Sequence, residues 1–512
     1  MRRSSMIYLI TILLVLSAAV IFSGLQGEND IARYQQHERE PGESDLGPCT
    51  VCGGTSGLCT HLPLLSIDTG GQKIPGNPVR DEEGVTIYYE TSAGGAEEIR
   101  VSVDIRDKEG SWHHLTDEPD ETLTALFRIR GNSSRSFSKK SYRIQLIDTD
   151  NPEQDDPQSL LGMPEGSEWA LHGPFLDKTL IRNYMWMNLS AQVMGYAPNV
   201  RFCEVTIDGQ YQGLYVLMET IAVSPQRVNL TEYEEGNLVF SYLVRLEPNY
   251  KAIKQIDNFT FYTMRMEPGT GIELLYPGTS RQTAAVKQYV QSDFSFIERY
   301  LYSRDMSRNP DSCWDYLDLD SFVDYYILQE FLAVSDSFSA STYFYKDVRG
   351  KLHVGPVWDY NNALNNFFHD LPETGYFLAQ KGWFTQLMKS PRFVERVIER
   401  YHSLRKGVLS EQYIEKYTSD VITWLGSAID RNYEVWGYSF DSSLLSPYER
   451  RSPSSPNADE TETIEALNPH SFEEAVEWML DYAQKRGRWM DEYIHTLRQY
   501  CHSSRNAGDI KD

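Results

Sequence analysis

The sequence predicts an α+β fold, and two patterns carry that prediction. Between Leu62 and Leu146 apolar and polar residues alternate with the period of strands, and from Val286 onward apolar residues recur with helical spacing. Composition sets the scale. Of 512 residues 41% are apolar and 12% aromatic, enough for a large packed core and too much for a disordered chain. The 73 acidic residues exceed the 48 basic ones, for a net charge of −25. Broad nucleic-acid binding needs a basic face to displace counterions, so it is not expected. Six cysteines in a chain of this length do not make a disulfide scaffold.

Along the chain, residues 1–23 stand apart. Met1-Arg2-Arg3 precedes an apolar run from Met6 to Phe22, about the minimum length for a membrane-spanning helix. The arginine pair favours a cytoplasmic N-terminus, and a cleaved signal peptide shares the pattern. A signal peptide or membrane anchor is expected, with the bulk of the chain anchored or secreted and outside the cytoplasm. Residues 24–60 read as a flexible, cysteine-containing tether rich in Gly, Glu, Asp and Gln. It carries Cys49, Cys52 and Cys59. Three thiols in eleven residues can ligate zinc, but the obvious fourth ligand, His61, is poorly spaced. A disulfide fits better outside the cytoplasm, and a redox role lacks the βαβ context it needs. A structural role is expected.

Residues 61–120 form a β-rich region. Val85–Tyr89 and Ile99–Ile105 alternate, and the pairs Gly70-Gly71 and Gly94-Gly95 mark turns. Residues 121–440 form the main domain. Asp320 is the expected N-cap of a helix running through Phe331, and further helices are expected at 391–406, 411–430 and 471–500. Residues 441–470 read as a polar loop and 471–512 as a C-terminal helix and tail.

Four segments carry candidate chemistry. The stretch Phe127–Leu146 reads as two strands around a Gly-Asn-Ser-Ser turn. Arg128, Arg130, Arg135, Lys139, Lys140 and Arg143 put six cations in sixteen residues of an acidic chain, suited to a compact anion such as a polyphosphate. Lys140 shares the strand face of Tyr142, Ile144 and Leu146, where an ammonium needs a partner, and Lys139 is expected in solvent. In the second segment Asp177 caps a helix bearing Lys178, Arg182 and Asn183, a potential phosphate site. The third, Gly209–Glu219, reads as a hairpin whose second strand ends in Glu219, a partner for Lys140. In the fourth, Asp336 closes a helix and Asp359 ends a hairpin, ahead of Asn361, Asn362 and Asn366. A carboxylate beside amide oxygens suits a hard cation such as Mg²⁺. Asn132-Ser133-Ser134 fits a glycosylation acceptor but is read as turn chemistry.

Taken together, RGNSSRSFSKKSYRI, DKTLIRN, GQYQGLYVLMET and GPVWDYNNALNN, in this order, resemble the spore coat protein H (CotH) kinase family of atypical protein kinases. The similarity runs from about Leu62 to Arg400. It implies a kinase-like two-lobed domain over 121–440, ATP and Mg²⁺ as cofactors, and transfer of the γ-phosphoryl group to Ser or Thr of a protein substrate. Asp336 resembles the family's catalytic Asp and Asp359 its metal-binding Asp, while Arg130 and Lys140 fall in the basic motif near the phosphates. Arg182 and Glu219 are expected around the same nucleotide. The family's common Trp-Asp-Phe-Asp is here Trp358-Asp359-Tyr360-Asn361, so Asn361 would ligate the metal without charge. Asn365 replaces a frequent Gly. The rival expectation is a non-catalytic surface adhesion or coat protein on the same fold.

Overall fold

The computed structural model describes residues 33–52, 57–81, 86–248, 255–263, 270–366, 371–452 and 463–502. The stretch 1–23, and with it the expected anchor or signal peptide, lies outside the described residues. No described helix is long and apolar enough to cross a membrane.

The first strands are β1 Cys59–Thr60, β2 Leu64–Asp68, β3 Pro78–Arg80, β4 Thr86–Tyr89, β5 Ile99–Arg106, β6 His113–His114, β7 Glu121–Ile129, β8 Tyr142–Leu146 and β9 Glu168–His172. They are followed by β10 Val200–Ile207, β11 Gln210–Glu219, β12 Tyr242–Pro248, β13 Gln255–Ile256, β14 Thr270–Tyr276, β15 Thr342–Lys346 and β16 Leu352–Val354. Seven of them close a barrel in the order β10-β11-β9-β8-β7-β5-β2. The seam is the parallel pairing of β10 with β2, and closure leaves no free edge. The alternation in β5 is real: Ile99, Val101, Val103 and Ile105 fill the barrel. Every residue of β10 is buried, because Cys203 and Val205 face the barrel interior while Val200 and Phe202 lie under helices on its outside.

A division at residue 120 does not survive. β5 and β7 pair from Ile99↔Phe127 to Ile105↔Glu121, so the strands before and after it share one barrel. The described part of the expected tether is also packed. Gln36 is fully buried, exchanging hydrogen bonds with the backbone of Phe202 at 2.6 and 3.2 Å, and Arg33 donates to Asn188 Oδ1 at 2.7 Å. Polar side chains that satisfy backbone groups this way leave no hydrophobic period to read.

The second lobe joins a five-stranded sheet, β13-β14-β12-β15-β16, to helices Ala284–Leu301, Leu319–Phe331, Pro391–Leu404, Glu411–Leu425 and Phe472–Tyr493 in one apolar core. The architecture is thus α+β with a helical C-terminal part. Asp318, rather than Asp320, caps the Leu319–Phe331 helix, accepting from Ser321 N at 2.9 Å. The helix expected over 411–430 breaks at Gly426, whose φ is +50°, and resumes as Ser427–Trp436. Arg486 of the last long helix meets Glu330 at 2.6 Å, both side chains fully buried.

Candidate active site

Four chain segments meet in a cleft of about 320 Å³ between the barrel and the helical lobe. β7 ends by delivering Arg130 and the turn Gly131–Ser134. The end of β9 and the loop after it supply His172 through Asp177. The Leu319–Phe331 helix is followed by Asp336, and β16 by Trp358, Asp359, Asn361 and Asn362. The hairpin β15–β16 pairs Phe344↔Val354 and Lys346↔Leu352, which folds the Asp359 segment back beside Asp336. Of the residues expected at the site, Arg130, Asp336, Asp359 and Asn361 therefore line one cleft.

The details suit an anion held with a cation. Asp359 is exposed and left-handed, at φ 69° and ψ 51°. Six of the ten described non-glycine residues with positive φ fall within 333–341 and 359–365, the two stretches carrying Asp336 and Asp359. Such strain tends to gather at functional sites. The Asp336 backbone carbonyl accepts from Ala340 N at 2.9 Å and Ser339 N at 3.0 Å, which fixes its turn. Asn361 Nδ2 donates to Asn362 Oδ1 at 3.0 Å, while Asn361 Oδ1 is buried with no hydrogen-bond partner. An oxygen acceptor left unpaired next to a carboxylate fits a hard divalent cation. Arg130 lies 5.4 Å over the Trp358 ring. Burial lowers its pKa, and the charge of Asp359 opposes that shift.

Three expected residues lie elsewhere. The basic cluster is mostly consumed within the fold. Arg128 and Arg143 reach Glu98 at 2.8 and 2.6 Å, and Arg135 donates to the carbonyls of Gly131 and Gly76. Lys140 is half-buried, donates to Arg135 O at 2.7 Å and is not among the residues lining the cleft. Lys139 is the buried lysine, donating to Leu214 O and Asn432 Oδ1, both at 2.6 Å. The face assignment fails because β8 begins only at Tyr142, so the strand period cannot be run back to 139 and 140. Glu219 does not meet Lys140. Its carboxylate accepts from Asn199 N at 2.7 Å and Tyr196 OH at 3.2 Å and faces Arg227 at 3.6 Å. Arg182 is a buttress: Nη1 donates to Asp177 Oδ1 at 2.6 Å and Nε to Ala363 O at 2.9 Å. It thereby ties the loop after β9 to the segment after Asp359. Asp177 caps from a distance, accepting from Arg182 N at 2.9 Å.

Sequence reasoning missed His172. Its Nε2 is buried without a hydrogen-bond partner. Burial lowers its pKa to about 4, Arg130 and Lys139 adding to the shift and Asp177 opposing it. The imidazole is therefore neutral at pH 7 and lines the cleft. The only sequence signal was its place at a strand end before Gly-Pro. Trp358 was visible as part of a motif but not as the platform for Arg130.

Residues 127–490, well over half the chain, match the family model described as CotH kinase protein. No curated protein matches the chain.

Proposed function

The chain belongs to the CotH kinase family, and we propose that its cleft binds ATP with Mg²⁺ and passes the γ-phosphoryl group to a Ser or Thr hydroxyl of a protein. The observation that carries this reading is the convergence of Arg130, Asp336, Asp359 and Asn361, from three distant segments, on one cleft. Phosphoryl transfer asks mainly for positioning and charge neutralisation. Arg130 supplies a guanidinium for phosphate oxygens, held in orientation by Trp358. Asp359 and the unpaired Asn361 Oδ1 are the groups that would hold Mg²⁺, which, when bound, offsets the phosphate charge. Asp336 orients the acceptor hydroxyl and takes its proton as the oxygen bonds to the γ-phosphorus. The bond to the β–γ bridging oxygen breaks and ADP leaves. The apolar stretch 1–23 supports a membrane-anchored or secreted protein, and hence a surface or coat protein as acceptor.

The test is thermal stabilisation by ATP with and without Mg²⁺, followed by transfer of labelled phosphate. Asp359→Ala should lose the Mg²⁺-dependent part of the stabilisation and at least about a hundredfold in transfer. Asp336→Asn should keep ATP binding and lose transfer by about 10²–10⁴-fold. Full turnover in either variant removes that residue from the site. The uncharged Asn361 favours a second reading, a non-catalytic surface or coat protein. Absence of any Mg·ATP stabilisation in the unaltered chain would select it.

A further inference from the structure

Outside the region matching the family, the chain brings together a second set of ligating groups. Cys49, Cys52, Cys59 and His114 each offer one atom, and the four atoms lie within 4.8 Å of one another. The fold builds this cluster deliberately. β1 and β6 form a two-stranded ribbon in which Cys59 sits directly opposite His114. Cys49 and Cys52 arrive from the segment that docks on the barrel through Gln36 and on the Ser427–Trp436 helix through Glu43, whose carboxylate accepts from Ser427 N at 3.2 Å. Cys49 Sγ is 3.4 Å from His114 Nε2. His114 Nδ1 lies 3.1 Å from Asp117 Oδ2, which also accepts the His114 backbone N–H at 2.8 Å. That carboxylate holds the ring with its proton on Nδ1, leaving the Nε2 lone pair toward the thiols.

We propose that Cys49, Cys52, Cys59 and His114 form a structural zinc site, with Asp117 orienting the histidine. Bond lengths of about 2.3 Å to sulfur and 2.0–2.1 Å to nitrogen give a tetrahedron with a sulfur-to-nitrogen edge of about 3.6 Å. The 3.4 Å between Cys49 and His114 is close to that edge. Three thiolates and an imidazole are the donor set of closed structural zinc, and leave no position for substrate. Disulfide bonding accounts for the cluster less well: with three thiols, any one pairing leaves an odd thiol beside a histidine already oriented to ligate. His61, the poorly spaced fourth candidate in the sequence, is turned away, with its ring 5.5 Å from that of Trp424 and Nδ1 3.6 Å from Glu43. The signal for His114 lies 55 residues beyond Cys59, in a strand pairing the sequence does not announce. The consequence is mechanical. The metal would staple the docked N-terminal segment to the ribbon and through it to the barrel, joining pieces too small to hold each other by apolar contact.

The test uses the full chain and metal analysis. Purified protein is expected to carry about one zinc per chain, released to a chromophoric chelator only on denaturation or thiol blocking. Cys59→Ser and His114→Ala should fall below a tenth of that content, while Cys501→Ser keeps it. Asp117→Ala should bind zinc about 10–100-fold more weakly in chelator competition. Should the ligand variants fail to fold, cobalt replaces them as the probe. Wild-type protein refolded with Co²⁺ should show a thiolate charge-transfer band and tetrahedral visible bands, abolished by added zinc. A wild-type chain that takes up no zinc, a Cys59→Ser variant that keeps it, or an intact mass showing a disulfide among the three cysteines would overturn the assignment.

Discussion

At the scale of single residues, the two adjacent lysines show what a sequence can and cannot convey. Two lysines in a row before an alternating strand announce that one of them is buried, but the choice depends on where the strand starts. The strand starts at Tyr142, and Lys139 goes inside. Its ammonium lies 4.9 Å over the Tyr215 ring, and burial pushes its pKa well below the ordinary lysine value. Lys139→Met keeps the stem and removes the donor, stranding Leu214 O. It should destabilise the protein by about 1–3 kcal/mol, whereas Lys140→Met should cost under about 0.5 kcal/mol, both read by chemical denaturation. Equal costs would contradict the burial difference. His172 gives a second prediction. Its pKa lies at about 4 in the folded chain against 6.5 in the unfolded one. Between those values the unfolded state binds more protons, so the stability owed to a neutral His172 is complete above pH 6.5 and is lost as pH falls toward 4. His172→Asn should therefore lose less stability than wild type between pH 7 and 4. Parallel pH curves for the two proteins would place the titration elsewhere.

At the scale of elements, the sequence was most legible where local chemistry decides the geometry. The hairpin ending in Glu219 formed, as Asp208-Gly209 supplies two positive φ angles for its turn. The β15–β16 hairpin formed too, which is why the placing of Asp336 and Asp359 at one cleft could be reasoned in advance. The barrel was not legible, because its closure joins β2 to β10 across more than a hundred residues and parallel seams leave no short-range mark. The link from β7 to β8 is longer than the Gly-Asn-Ser-Ser turn the sequence suggests: it continues through a 3₁₀ turn at Ser133–Ser136 to Ser141. Gly131 has φ +109°, and a Cβ there would sit 1.8 Å from Ser134 Oγ. Gly131→Ala must displace Ser134 and strain the backbone, shifting the turn that lines the cleft beside Arg130. The expected result is a destabilisation of about 1–3 kcal/mol together with weaker stabilisation by Mg·ATP. A variant with normal nucleotide response would show that the turn does not touch the ligand.

At the scale of the whole molecule, the question is what keeps Asp336 in register with a barrel that supplies the opposite wall of the cleft. The C-terminal helix reads from sequence as a terminal helix and tail, yet the fold wraps it against the helix that leads into Asp336. Arg486 donates to Glu330 Oε1 at 2.6 Å and to the carbonyls of Glu330 and Gly375, and it lies 4.6 Å over the Phe377 ring. Glu330 also accepts from Phe377 N at 2.7 Å and Leu378 N at 2.9 Å. One buried ion pair thus joins the Leu319–Phe331 helix, the loop at 373–378 and the last long helix. Such a pair is costly to desolvate, so its value lies less in net stability than in fixing which surfaces meet. Breaking it from one side leaves a buried charge and several carbonyls without a donor. Arg486→Met should cost about 3–5 kcal/mol, lowering the thermal midpoint by several degrees for a chain of this size. Glu330→Gln should cost less, because a glutamine carbonyl still accepts from Phe377 or Leu378. In the double variant the two losses should not add, since both act on one network. On the proposed kinase reading, at a temperature where each variant remains folded, transfer should fall with kcat while the KM for ATP changes little, because the disturbed helix leads into Asp336 and not to Arg130. A rise in the KM for ATP with unchanged kcat would mean that the pair supports the nucleotide wall of the cleft instead.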